Sequence, residues 1–290
     1  MPNHYVGLET LKRSMQIGGT SAGSATADNA VLFALNETVA RLIDDYCGFH
    51  FYESSGGRFF NPDNSTRLCL GYPLLTVGSI QFSSDGGTTY GTTMTSADYY
   101  LAPYNATEES PPRPFWEIES RENATSSGTV FPKGIQRSVR ITGTWGYYNK
   151  TKSTSATVAT AIASDTTTWK INNATALEVG MTLLSGAEKL FVTRTPASVS
   201  GAHTSTIDVL RAQNGTTNTT HSCASALSIY EYPIIEQAAL TQAQQEYLVR
   251  HSPNGYAGGE PFGTQRPQMT GGLHPFVRRM LDPFRTPVAV

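Results

Sequence analysis

Between Val31 and Tyr46 the apolar residues Val31, Leu32, Leu35, Val39, Leu42, Ile43 and Tyr46 recur at helical spacing, and from Val77 onward the pattern changes to period two. A chain that makes this switch must bury a helix stripe and a sheet face, and the simplest solution packs an antiparallel sheet against the long helix. Gly48 is placed to end the helix, and Thr26 or Asp28 can supply its N-cap oxygen. Asp44 and Asp45 stand near the C-terminal end, where the helix dipole disfavours acids. A solvated acidic end and a partner surface both account for them.

Around that helix the remaining elements are short. Gly7 to Ile17 reads as a helix with Leu8, Leu11 and Met15 on one side. Val77 to Phe82 reads as a strand, Asp85-Gly86-Gly87 as a hairpin turn, and Tyr99 to Ala102 and Val139 to Trp145 as further strands. Asn105 to Pro114 is a proline-punctuated loop, and Lys150 to Ala156 a Lys/Thr/Ser-rich linker. Beyond it come five β runs: Trp169 with Ile171, Met181 to Leu184, Leu190 to Val192 behind the charged pair Glu188 and Lys189, Ile207 to Leu210, and Leu227 to Tyr230. Pro233 opens a last helix, Ile234 to His251, and the chain from Ser252 to Val290 is rich in Pro and Gly.

The pattern predicts an α+β fold: N-terminal helices with an antiparallel β portion, an inserted all-β domain, and a C-terminal helix with an extended tail. The expected boundaries are a core of residues 1–153 and 233–255, an insert of 154–232, and a C-terminal segment of 256–290. The insert is expected to fold by itself, because the linker and Pro233 bracket it.

Chemistry is harder to find. The formal net charge of -2 supplies no general attraction for nucleic acid. Cys47, Cys69 and Cys223 lie far apart, without C-x-x-C spacing, and read as free thiols; His4, His50, His203, His221, His251 and His274 show no metal-binding pairing. There is no G-x-x-x-x-G-K-[ST] phosphate loop. Glu117 and Glu119 share one face of a strand, where neighbouring acids are solvated or salt-bridged more readily than arranged across a glycosidase cleft. The expectation is a chain with no catalysis, no metal and no cofactor. No signal peptide or membrane span is read, so the eight N-x-S/T sequons, among them Asn36 and Asn214, reflect abundant Asn beside Thr and Ser. One basic concentration stands out near the C-terminus, His274, Arg278, Arg279 and Arg285 interleaved with Phe276, Leu281 and Phe284. It reads as a docking surface, as an amphipathic segment folded on its own domain, or as a DNA contact.

The order of the pieces resembles a known family. Tyr5-Val6-Gly7-Leu8-Glu9-Thr10-Leu11-Lys12 and then Ile43-Asp44-Asp45-Tyr46-Cys47-Gly48, with Phe49 and Phe51 behind, resemble the opening of the head-to-tail connector (adaptor) proteins of long-tailed bacteriophages. Pro73-Leu74-Leu75-Thr76-Val77, Asp98-Tyr99-Tyr100-Leu101-Ala102-Pro103 and Val139 through Trp145-Gly146-Tyr147 look like that family's β portion. The resemblance covers about 150 N-terminal residues and the helix after Pro233. It implies a homo-oligomeric ring, commonly of twelve subunits, beneath the portal protein in the virion neck, assembled in the host cytoplasm and joined to the next neck or tail protein. DNA would pass through without sequence-specific binding, and Phe276, Arg278, Arg279, Leu281, Phe284 and Arg285 would dock on the portal. The departure is the insert, whose Val209-Leu210-Arg211-Ala212-Gln213-Asn214-Gly215-Thr216-Thr217 and His221 are similar to a small module of phage virion proteins. The rival expectation is that this insert recognises a glycan or host surface.

Overall fold

A computed structural model describes residues 3–15, 28–64, 66–109, 112–121, 130–195, 204–251 and 272–285. The fold is α+β, with mixed helices, antiparallel sheets and an inserted all-β domain. The chain divides into two compact units, one of Met1–Cys47 with Lys150–Arg285 and the other of Gly48–Asn149.

The first unit combines helices and a closed barrel. Helices α1 (Leu8–Ser14), α2 (Asn29–Cys47), α3 (Pro233–His251) and α4 (Pro275–Leu281) pack on one another, α2 touching the other three. Gly48, at φ +82°, ends α2 as the sequence indicates. The buried stripe of α2 differs from the apolar reading: it is Leu32, Asn36, Val39, Ala40, Ile43, Asp44 and Cys47, while Val31, Leu35, Leu42 and Tyr46 are half-buried. Two inward positions are polar because the N-terminal segment supplies their partners. Asn36 Nδ2 donates to the Val6 carbonyl at 2.8 Å, and Tyr5 Oη donates to Asp44. Asp44 is therefore buried and also paired with Arg41 at 3.2 Å, whereas Asp45 is exposed.

The insert closes as a six-stranded antiparallel barrel in the order β10-β11-β8-β7-β12-β9. Its strands are β7 (Thr151–Val158), β8 (Thr168–Asn172), β9 (Thr182–Ser185), β10 (Glu188–Arg194), β11 (Thr204–Leu210) and β12 (Ala226–Tyr230). The expected linker is itself β7. It brings only Ala156 and Val158 to a core made with Trp169, Ile171, Leu183, Leu190, Val192, Ile207 and Leu227. Closure leaves no sheet edge to satisfy.

The barrel is tied to the N-terminal residues of its unit. Leu8 N donates to the Val179 carbonyl at 2.9 Å, and the Glu178 carboxylate accepts from Thr10 N at 2.7 Å and Thr10 Oγ1 at 2.9 Å. Glu178 thus caps α1 from 168 residues away, replacing the side-chain cap that Gly7 cannot supply. Asn3 and Asn214 exchange amide hydrogen bonds of 2.7 and 3.1 Å, and Thr182 Oγ1 donates to Asn3 at 3.0 Å. Both asparagines are buried, as is Asn36, so the sequon positions Asn36 and Asn214 serve packing.

The second unit is a six-stranded sheet ordered β1-β6-β2-β5-β4, with β3 also on β2. Its strands are β1 (Ser54–Phe60), β2 (Arg67–Phe82), β3 (Thr92–Met94), β4 (Tyr99–Ala102), β5 (Phe115–Ser120) and β6 (Val139–Trp145). β2 is far longer than Val77 to Phe82, since its first half pairs with β5 and its second with β6 and β3. Leu74, Ile80, Ile118, Ile141 and Trp145 centre its own core. Asp85 holds the β2–β3 turn by accepting from Ser83 Oγ at 2.5 Å, from Thr89 N at 2.9 Å and Thr89 Oγ1 at 2.7 Å, and from Thr88 N at 3.0 Å, which keeps its carboxyl well below the usual range.

Candidate functional site

In the C-terminal candidate segment, residues 256–271 and 286–290 lie outside the described residues. His274 caps α4, its Nδ1 accepting from Phe276 N at 3.2 Å, and Pro275 opens the helix. Buried Gln242 of α3 holds the entry: its Oε1 accepts from His274 N at 2.8 Å and its Nε2 donates to the Gly272 carbonyl at 3.4 Å. Leu273, Val277, Leu281 and Phe284 are buried. The candidate residues therefore divide: Leu281 and Phe284 face the unit's own core, while Phe276, Arg278, Arg279 and Arg285 point outward, Phe276 with half its surface exposed. Tyr46 Oη donates to Asp282 Oδ1 at 2.5 Å, which raises its pKa, and the Arg285 guanidinium lies 5.2 Å from the Tyr46 ring. None of the three arginines has a carboxylate partner among the described residues.

Inside the barrel lies an arrangement that the sequence reading missed. Ser185 Oγ is 3.0 Å from His221 Nδ1, and His221 Nε2 is 2.8 Å from Glu188 Oε2. The order of groups is that of a hydrolytic triad. Its setting is not, for all three are buried and Glu188 is committed to Arg211 through bonds of 2.9 and 2.6 Å. Burial opposes ionisation of Glu188, but Arg211, His221 and the backbone N–H groups of Thr219 and Ala212 outweigh it and hold the carboxyl at about 2. Arg211 also donates to the carbonyls of Ala163 at 2.5 Å and Thr219. The set is a polar clasp joining β10, the turn after β11 and the approach to β12. Its only sequence signal was Arg211 and His221 in the module-like stretch.

The other sequence candidates are accounted for singly. Glu117 and Glu119 on β5 are salt-bridged, both to Arg67, at 2.6 and 3.3 Å. Among the described residues the three cysteines form no disulfide, and burial pushes the Cys47 thiol up to about 12. Among the described residues no group of His, Cys, Asp and Glu could hold a metal ion. Trp169 and Phe191 are fully buried, leaving the barrel no aromatic platform from those two residues.

A groove lies in the second unit. It measures about 580 Å3 and is lined by Ser96, Tyr99, Tyr100, Leu101, Tyr104 and Phe115. Tyr100 and Tyr104 meet edge to face at 6.0 Å, Tyr104 donates to Glu119, and the Arg121 guanidinium covers the Tyr100 ring at 4.1 Å.

No protein-family model matches the chain, and no curated protein matches it. Among solved structures it is similar to a chain of the neck of an empty GTA particle, computed with C6 symmetry. The identity is 14%, the TM-score 0.44, and the match covers 99% of this chain and 92% of the other.

Proposed function

We propose that the chain is a non-enzymatic structural subunit of the connector ring in the neck of a long-tailed phage virion, beneath the portal, with DNA passing through the ring. The observation that carries this reading is the outward side of α4. Its apolar side is fixed on the protein's own helices, so Phe276, Arg278 and Arg279 are held on a rigid element with Arg285 just beyond it, none of the arginines paired with a described carboxylate. Aromatic and Arg residues of this kind are the favoured anchors of protein interfaces. The ordered resemblance to the connector family supports the same reading, because its pieces fall on α1, α2, β2, β4, β6 and α3.

Immunogold electron microscopy of virions is the direct test. Label at the head-to-tail junction is expected. Label confined to fibres or capsid faces, or none on the virion, would overturn the reading.

A further inference from the structure

Residues 3–7 form a strap laid over α2 and the barrel, all within the first unit. Asn3 is fixed from two sides: its side chain bonds to Asn214 and Thr182, and its carbonyl accepts from Arg41 Nη2 at 2.8 Å. Tyr5 donates to Asp44 and sets its ring edge-on to that of Tyr232, 5.1 Å away. The Val6 carbonyl accepts from Asn36, and the strap ends where Leu8 N reaches the Val179 carbonyl. Asn3, Tyr5 and Val6 are thus each matched by a polar partner.

His4 is the exception. It is 3% exposed, its ring lies against those of Phe33 and Phe191 at 4.6 and 5.3 Å, and neither ring nitrogen has a hydrogen-bond partner. Gly180 closes the slot, since a Cβ there would lie 2.8 Å from His4 Nδ1. The charges around this slot decide what a proton would meet. From α2 comes the Arg41 guanidinium, with Asp44 already paired to it and bonded to Tyr5. On β10 the Lys189 ammonium lies 5.9 Å from the Tyr230 ring, and Glu188 is held in the clasp. On α1, Lys12 is paired with Glu9 and Arg13 with Glu178. An imidazolium in the slot would carry two N–H donors with no acceptor in place, beside a cation. In water both donors are satisfied.

We propose that residues 3–7 are an acid-released strap, closed while His4 is neutral and lifted from α2 and the barrel when His4 takes up a proton. Opening breaks the bonds of Asn3, Val6 and Leu8 together, because His4 lies among the residues that make them. The barrel core of Trp169, Ile171, Leu190 and Ile207 contains no strap residue, so the barrel keeps its fold when the strap lifts. Burial first, and Arg41 second, hold His4 at about 4 in the closed strap, against 6.5 in the open one. The open strap therefore binds the proton more tightly, and the opening constant rises as pH falls from 6.5 to 4 and is level on either side.

Native-state hydrogen exchange on the full chain, read residue by residue by NMR, tests this. Leu8 N–H reports the strap, and Val209 N–H, bonded to the Thr167 carbonyl at 2.9 Å, reports the barrel. Leu8 is expected to be the less protected of the two. Its opening constant, corrected for the intrinsic exchange rate, should rise on the order of fiftyfold between pH 7 and pH 4.5. His4→Phe should abolish that rise, leaving the Leu8 opening constant within about threefold across the same range. Equal protection of Leu8 and Val209 at both pH values would mean that the whole unit unfolds, and would overturn the proposal. So would a Leu8 opening constant indifferent to pH in the unaltered chain, or one that still rises in His4→Phe. Should that variant not fold, the His4 ring signals of the unaltered chain decide. They are expected to stay those of neutral imidazole down to about pH 5, and titration near 6.5 with Leu8 still protected would overturn the strap's dependence on His4.

Discussion

His4 is buried with both ring nitrogens lacking a hydrogen-bond partner, its ring 4.6 Å from that of Phe33 and 5.3 Å from that of Phe191. Burial first, and the charge of Arg41 second, lower its pKa from 6.5 to about 4. Between those two values the unfolded chain binds a proton that the folded one refuses, so this residue's contribution to stability falls as pH drops from 6.5 to 4 and is level below that. The full loss is on the order of 3 kcal/mol. His4→Phe gives up no hydrogen bond, and its denaturant-unfolding stability should fall less steeply than that of the unaltered protein across that window. Parallel curves would show that His4 does not titrate there. Glu188 behaves differently, because its carboxyl is held low and its contribution persists until pH falls below 4.5 toward about 2. Arg211→Ala strands that carboxylate in the barrel, and the expected cost at neutral pH is about 3 to 5 kcal/mol. A thermal melt within a degree of the parent would contradict the clasp. Neither residue announced itself in the sequence. A charge beside a strand reads as solvent-facing, and a lone histidine between Asn3 and Tyr5 carries no periodic signal.

Among the elements, those with their own apolar pattern were legible and those borrowing order from elsewhere were not. The strands at Tyr99–Ala102 and Val139–Trp145 and the helix after Pro233 stand where alternation and Pro chemistry put them. β1, Ser-Ser-Gly-Gly-Arg-Phe-Phe, has no inward alternation and exists because β6 pairs with it along its whole length. β7 was hidden for a similar reason: hydroxyl and Lys residues dominate it, and barrel closure rather than burial of its own side chains orders it. α1 is the third case. Its N-terminus depends on Glu178, and a Cβ on Gly7 would lie 2.2 Å from Glu178 Oε2, so no side chain fits there while the cap is in place. Glu178→Ala is expected to cost about 1 to 2 kcal/mol. Gly7→Ala should cost a similar amount by expelling the same carboxylate, and the double variant should cost little more than either alone. Additive losses in a double-mutant cycle would place the two effects in different contacts.

At the scale of the whole molecule, the C-terminal segment joins the fold to the proposed function. The sequence left three readings of Phe276 to Arg285 open, and the structure divides the residues between a buried and an outward side of α4 and the turn that follows it. Removing the segment would uncover the α3 and α2 surfaces that Leu273, Val277, Leu281 and Phe284 cover, so a truncated chain that failed to join heads would not separate lost docking from lost folding. Substitution on the outward side makes that separation. Phe276→Ala with Arg278→Ala and Arg279→Ala touches no buried contact of the unit and should leave the melting temperature within about 5 °C of the parent, since exposed changes of this kind stay within about half a kcal/mol each. If α4 docks on the portal, the same triple variant should join purified filled heads at least about tenfold less efficiently, as loss of an aromatic anchor and two arginines from an interface commonly costs more than 1.4 kcal/mol. The unaltered protein should join less well as salt rises, and the variant should lose most of that dependence because it lacks the charges being screened. Leu281→Ala should do the reverse, lowering the melting temperature through a cavity beside α3 while leaving joining by the remaining folded protein intact. If the triple variant joins heads as the parent does at every salt concentration, α4 is not the portal contact, and the ring must meet the portal through another surface.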